Sequence, residues 1–213
     1  MTFDLLFTAV EMIGTVAFAL SGAMTALKYR LDLFGVLFLG VTVATGGGMV
    51  RDVLIGNIPP LAFQDYKYLL TAAVTALLAF LAAFCSRGAY HSHETKVESL
   101  ANIFDALGLG AFSVTGVQAG INAGFGSNGF LLVFLGMLTG IGGGILRDVF
   151  VQRMPNVLHK HVYALPCILG ACLYLILYRL QISHLAASFS AVVLVFVLRM
   201  LATKFRWNLP RAR

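Results

Sequence analysis

The sequence predicts an all-α integral membrane protein, with seven transmembrane helices arranged as two inverted three-helix repeats plus a seventh, peripheral helix. Three observations predict this fold. First, the chain is 59% hydrophobic and 11% charged, with a mean hydropathy of +0.88, whereas soluble domains carry about 25% charged residues. Second, the apolar residues fall in blocks long enough to cross a hydrocarbon core of about 30 Å, which takes roughly 20 residues of helix. Third, the stretch Gly46-Gly47-Gly48-Met49-Val50-Arg51-Asp52 returns as Gly142-Gly143-Gly144-Ile145-Leu146-Arg147-Asp148, each copy inside such a block. Only helices and closed barrels satisfy their backbone in lipid. The blocks lack the period-two alternation of barrel strands, so a helical bundle is expected.

The elements follow in order. Span 1 is expected over residues 4–27, interrupted by Glu11. Its N-terminus lacks the basic region of a cleaved signal peptide, so the span is expected to stay. Span 2, over 33–56, follows a polar turn and ends before Pro59, where a helix cannot continue unbroken. Span 3 covers 67–86. The polar stretch 86–99 reads as a cytoplasmic connector. Spans 4 and 5, over 100–121 and 128–151, are joined by a turn from Asn122 to Gly129, and no Asp, Glu, Lys or Arg occurs from Ala106 to Leu146. Spans 6 and 7 cover 162–179 and 182–202. The units are thus a first repeat (1–85), the connector (86–99), a second repeat (100–180), the seventh helix (181–203) and a basic cytoplasmic tail (204–213).

The repeat reaches beyond the glycines. At an offset of 96, Phe38-Leu39-Gly40 matches Phe134-Leu135-Gly136, and Pro59 matches Pro155. At an offset of 94, Gly14, Ala17, Phe18 and Gly22 match Gly108, Ala111, Phe112 and Gly116, placing Glu11 on Asp105 and Ser21 on Thr115. Each unit holds three spans, an odd number, so the second enters the membrane from the opposite side, as in inverted-repeat transport proteins.

The net charge of +6 is accounted for by topology and not by nucleic acid, which is not expected as a partner. With seven spans and the tail residues Lys204, Arg206, Arg211 and Arg213 in the cytoplasm, the N-terminus lies outside. Lys28, Arg30, Arg87, Lys96, Arg153 and Lys160 then also fall inside, leaving Lys67 and Arg179 outside. That is the positive-inside pattern of a multi-pass protein of the inner (plasma) membrane.

Gly weakens a helix interior by about 1 kcal/mol relative to Ala, and an ionised residue at membrane depth costs several kcal/mol. Their joint, doubled occurrence marks where the protein works. Gly46, Gly47 and Gly48, and likewise Gly142, Gly143 and Gly144, are expected to kink or unwind their spans. The carbonyls so freed would line a path, the alternative being close helix contact. Adjacent residues on a helix point in different directions, so Arg51 and Asp52, and Arg147 and Asp148, are expected to find partners elsewhere. Glu11 and Arg51 both lie about 8–10 Å from one membrane boundary at 1.5 Å per residue. Asp105 and Arg147 stand at comparable depth from the other. The pairs Glu11–Arg51 and Asp105–Arg147 are therefore expected, one at each mouth, gating a path narrowest between the glycine triplets. Ser21, Thr25, Thr42, Thr45, Thr115 and Thr139 are candidate lining hydroxyls, although such groups also bond to their own helix.

Other chemistry is not expected. Cys85, Cys167 and Cys172 lack CxxC spacing and read as buried packing residues. His91, His93, His159 and His161 read as solvated loop residues. Gly140-Ile141-Gly142-Gly143 lacks the GxGxxG spacing, and there is no GK[ST] loop or HExxH motif. No enzyme activity, cofactor or resident metal is expected.

The doubled GGGxxRD motif, each copy closed by Pro59 or Pro155, resembles that of the prokaryotic trimeric intracellular cation (TRIC) channel family. That family is also filed as UPF0126 and under a glycine transporter domain label. The resemblance covers essentially the whole chain. It implies a homotrimer in membrane lipid with a pore in each protomer, spans 2 and 5 kinked at the glycines, and conduction of K⁺ or another monovalent cation. On this chain it places Gly46, Gly47, Gly48, Gly142, Gly143 and Gly144 at the pore, with Arg51 and Arg147 nearby. An arginine at each mouth of a cation path is workable if Glu11 and Asp105 neutralise it, or if its movement is the gate. The alternative function is a secondary transporter for a small solute such as glycine, since broken helices in inverted repeats serve carriers equally.

Overall fold

In a computed structural model the chain is described over residues 2–85, 94–159 and 162–208, with the side chains of 2–6, 94–96 and 159 left aside. Among the described residues all regular structure is helical. The seven main helices are α1 (Thr2–Lys28), α2 (Leu33–Leu54), α3 (Tyr66–Cys85), α4 (Glu94–Gly120), α5 (Gly129–Phe150), α6 (Ala164–Arg179) and α7 (His184–Lys204). Single turns of helix at Leu61–Gln64 and Asn156–His159 follow the two prolines. Among the described residues six helices are long and apolar enough to cross a membrane. The sixth in order, α6, has 16 residues and rises about 24 Å, less than the hydrocarbon core.

Helix ends follow local chemistry. The Asp32 side chain caps α2 by accepting from the Gly35 backbone N–H at 2.7 Å, and Asn128 caps α5 in the same way from Leu131 at 3.1 Å. These side chains satisfy backbone donors that a helix start leaves orphaned. Between α4 and α5 the expected turn takes the form of a π-type turn, Ile121–Phe125, in which Gly124 adopts φ 90°, a conformation open to glycine. The expected connector is partly helix, because α4 begins at Glu94. Residues 86–93, with Arg87, His91 and His93, lie outside the described residues, as do Lys160, His161, Arg211 and Arg213. Cys85, expected to be buried, is exposed at the end of α3, whereas Cys167 is buried.

Four helices make the centre: α1 packs on α2 and α4, α4 on α5, and α2 on α5. Small residues set these distances. A Cβ at Gly22 would stand 2.8 Å from the Leu39 carbonyl oxygen of α2, and one at Gly116 would stand 2.6 Å from the Leu135 carbonyl oxygen of α5. Phe18 and Phe112, both buried, meet at the α1–α4 crossing with ring centroids 5.1 Å apart. α3 lies against α1 and α2 and leaves Leu70, Val74, Leu78 and Phe84 exposed.

The glycine triplets correct one expectation. α2 and α5 are continuous α-helix through Gly46–Gly48 and Gly142–Gly144, so no carbonyls are freed there by unwinding. The triplets instead bring the two helices into backbone contact. A Cβ on Gly143 would overlap the carbonyl oxygen of Val43, one on Gly47 would overlap that of Thr139, and one on Gly142 would stand 2.9 Å from the Gly47 Cα. Gly46 faces Leu146, and Gly144 faces the Tyr163 hydroxyl. Only Gly48 has room, its nearest such neighbour being Arg51 Nη2 at 3.7 Å. Helix propensity lost at glycine is recovered by packing that no larger residue permits.

Candidate functional site

Two buried charge clusters stand at opposite ends of the four central helices. α1 connects them: Glu11 belongs to one and Ser21 to the other, which at 1.5 Å per residue separates the clusters by about 15 Å.

The first cluster joins α1, α2 and α3. The Arg51 Nη1 lies 4.0 Å from Glu11 Oε1. Its Nε donates to Asp52 Oδ1 at 2.9 Å, with Nη2 2.8 Å from the same oxygen. The other oxygen of Asp52 accepts from the Leu61 backbone N–H at 2.8 Å, tying the turn of helix after Pro59 to the end of α2. The Tyr68 hydroxyl donates to Glu11 Oε2 at 2.5 Å. Glu11, Arg51 and Asp52 are each less than 5% exposed. A cavity of about 450 Å³ opens onto this cluster, lined by Phe7, Glu11, Arg51, Asp52, Asn57 and Asn122 among others. A smaller one of about 40 Å³ runs inward past Thr15, Thr45 and Gly48 to Phe112.

The second cluster repeats this pattern, with a direct hydrogen bond between its arginine and the α4 carboxylate. The Arg147 Nη1 donates to Asp105 Oδ1 at 2.6 Å and to Ser21 Oγ at 2.7 Å, and its Nε donates to Asp148 Oδ1 at 3.0 Å. Asp148 Oδ2 accepts from the Asn156 backbone N–H at 2.8 Å, as Asp52 does from Leu61. The Tyr163 hydroxyl donates to Asp105 Oδ2 at 2.7 Å, as Tyr68 does to Glu11. Two further arginines join here: Arg153 Nη2 lies 2.5 Å from Asp148 Oδ1, and Arg199 Nη2 lies 3.9 Å from Asp105 Oδ2. A cavity of about 120 Å³ faces this cluster, bounded by Thr25, Lys28, Glu98, Arg147, Arg153 and Arg199 among others. It shares no lining residue with the cavities at the other end.

The structure therefore brings Glu11 to Arg51 and Asp105 to Arg147. It corrects the expectation that each arginine and the aspartate after it cannot satisfy one another. The arginine side chain is long enough to fold back along its helix end, and its guanidinium presents several donors to one carboxylate. The hydroxyls divide. Ser21 accepts from Arg147, while Thr25, Thr45 and Thr139 donate to carbonyls of their own helices at 2.6 to 2.8 Å. Thr115 Oγ1, the repeat partner of Ser21, is buried without a hydrogen-bond partner, so Arg147 has a contact that Arg51 lacks. Sequence reasoning missed Tyr68, Tyr163, Arg153 and Arg199. The tyrosines were within reach, for they are 95 apart in a chain whose repeats are offset by 94 and 96. Arg199 belongs to the unrepeated helix and had no such signal.

Removing the Tyr68 hydroxyl leaves a buried carboxylate short of one donor. Tyr68→Phe is expected to destabilise the detergent-solubilised protein by about 1–3 kcal/mol, read as a lowered thermal midpoint. An unchanged midpoint would show that Glu11 is satisfied without it.

A family model described as glycine transporter matches two stretches, residues 8–84 and 102–179, one in each half and both short of α7. The chain is 33% identical over 202 residues to the UPF0126 inner membrane protein YadS of Escherichia coli (strain K12), covering 94% of this chain and 93% of that protein. To a UPF0126 membrane protein of Deinococcus radiodurans it is 42% identical over 164 residues, covering 76% and 72%. Among solved structures, one described as a prokaryotic TRIC channel in 0.5 M KCl superposes with a TM-score of 0.84 at 29% identity, over 97% of this chain and all of that one. Another, solved for the structural basis of conductance through TRIC cation channels, has a TM-score of 0.80 at 33% identity, over 100% and 98%.

Proposed function

This chain belongs to the family that unites the glycine-transporter model, the UPF0126 membrane proteins and the TRIC channels, and we propose that it is a potassium-permeable monovalent cation channel. In this reading seven spans form two inverted three-helix repeats and the lipid-facing α7, with the N-terminus outside the inner membrane and the C-terminus in the cytoplasm. Each protomer of a homotrimer carries its own path, bounded by α1, α2, α4 and α5.

The observation that carries the proposal is the pair of matched charge clusters buried about 15 Å apart on α1. Desolvating an ion costs several kcal/mol even when it is paired, so buried pairs are a poor way to gain stability. Their repetition at both ends of one four-helix centre fits a path with a gate at each end. Glu11 and Asp105 neutralise the arginines that would otherwise repel a cation, and each carboxylate borders or approaches a cavity at its own end. Between them Phe18, Phe112 and the α2–α5 glycine contact occlude the centre. Opening requires that contact to part, and the glycine triplets are where α2 and α5 bend at least cost. An arginine that moves through the full membrane field contributes about 2.3 kcal/mol per 100 mV, so gating by such movement is voltage-dependent.

Purified protein in planar bilayers tests the reading. Unitary K⁺ currents are expected, with open probability altered by Arg51→Ala. Saturable glycine uptake by proteoliposomes, together with silent bilayers, overturns it in favour of a carrier.

A further inference from the structure

The two ends of the molecule are not equivalent, and part of the difference comes from the helix outside the repeat. Among the described side chains, one arginine faces two carboxylates at the Glu11 end, and the Arg51–Glu11 contact is loose at 4.0 Å. At the Asp105 end three arginines face two carboxylates, and the Arg147–Asp105 contact is a direct hydrogen bond of 2.6 Å. The added contact to Asp105 is made by Arg199, near the C-terminal end of α7 and only 5% exposed.

Arg199 is placed to act on Asp105 by two routes. Its Nη2 approaches Asp105 Oδ2 at 3.9 Å. Its guanidinium also lies over the ring of Tyr163, 4.3 Å from the centroid, and the hydroxyl of that same ring donates to Asp105 Oδ2. One cation thus steers the carboxylate directly and holds the tyrosine that orients it. Nη1 points to the Val162 carbonyl at 3.5 Å, and Nε has no hydrogen-bond partner. A buried guanidinium with a donor unsatisfied is a costly group to keep for packing alone. The helix that carries it is firmly seated: a Cβ at Gly110 of α4 would lie 3.0 Å from the Val192 carbonyl oxygen, and one at Gly170 of α6 would overlap the Val195 side chain.

We propose that Arg199 is the positioning residue of Asp105, and that α7 through it clamps this end of the path shut. With Arg199 in place, Asp105 is held between Arg147 of α5 and the Tyr163–Arg199 stack, and cannot leave Arg147 to admit a cation. Among the described residues the opposite end shows no such clamp: the Glu11 carboxylate has contacts from Arg51 and Tyr68 alone. This inference rests on the channel reading above.

Single-channel recording of the full-length protein tests it, because the open probability of active channels does not depend on how many channels fold. Arg199→Met is expected to raise open probability about thirtyfold, the scale set by losing a desolvated cation–π contact. Arg199→Lys, which keeps the charge but not the planar stack, is expected to fall between Met and wild type. Tyr163→Phe, which keeps the ring but not the hydroxyl, is expected to raise open probability too, by less than Arg199→Met, because the direct contact of Arg199 with Asp105 remains. If Arg199→Met does not fold, the lysine and phenylalanine variants carry the test. Conducting wild type with open probability unchanged or lowered in these variants overturns the clamp alone. A wild type that carries no current overturns the channel reading and the clamp with it.

Discussion

Gly143→Val is expected to prevent recovery of folded protein, whereas Gly48→Ala is expected to be tolerated. The two glycines lie in matched triplets and differ in what surrounds them, and valine at Gly143 adds a branched side chain to the Cβ that already has no room. A Cβ at Gly143 would overlap the Val43 carbonyl oxygen, a backbone atom of α2 that no rotamer change can move. α2 and α5 would have to separate, and with them the contact that closes the centre of the bundle. Overpacking a close-packed interior costs about 1–3 kcal/mol and occasionally more; a backbone-to-backbone contact stands at the upper end. At Gly48 the nearest such atom is 3.7 Å away, so alanine fits and its change in stability stays within about 1 kcal/mol, the difference in helix propensity. Fluorescence-detected gel filtration with a thermal ramp measures both. Equal behaviour of the two variants would show that the triplets do not set the α2–α5 distance.

Asp105→Asn is the second large effect, and it should exceed that of Glu11→Gln at the matched position. Asp105 holds Arg147 at 2.6 Å, accepts from Tyr163 at 2.7 Å and has Arg199 at 3.9 Å. Removing its charge leaves two buried guanidinium groups competing for what remains, and breaking one partner of a buried pair costs about 3–5 kcal/mol. Glu11 stands 4.0 Å from Arg51, which keeps Asp52 at 2.8 Å, so its loss strands no cation. The double variant Asp105→Leu/Arg147→Met is expected to recover part of the loss, because replacing both members of a buried pair by apolar groups is often close to neutral. Asp148 retains Arg153 in that variant. Thermal midpoints of the four proteins decide the matter. If Asp105→Asn proves no more damaging than Glu11→Gln, the closer Arg147–Asp105 contact does not confer stability.

Much of this arrangement is legible in the sequence. Span positions follow from hydropathy because lipid admits few alternatives. The described helices α2, α3 and α5 begin and end within two residues of the expected spans. Glu11 with Arg51, and Asp105 with Arg147, were readable by depth alone, since two charges at one level of a bundle have few other partners. The state of the glycine triplets was not readable. Three glycines weaken an isolated helix, but packing partners lie far away in sequence, and here they keep the helix whole. The side-chain reach that lets Arg51 bond to Asp52 was equally hidden, because a rule about adjacent helix positions describes Cβ directions and not the end of a long, flexible arginine. Arg199 lay further out of view: in sequence it is one basic residue near the end of a hydrophobic span, indistinguishable from a cytoplasmic flank.

By itself the sequence determined that the chain is a helical membrane protein, that its motif is doubled, and that its intramembrane charges fall in two matched groups. Composition and period record those features directly, residue by residue. Only the tertiary structure decided that the glycines join α2 to α5 instead of breaking them, that the clusters differ in closeness, and that α7 reaches Asp105. Each of these depends on a distance between residues far apart in the chain. Such distances are set by backbone approach and side-chain reach, and neither is written in hydropathy or spacing.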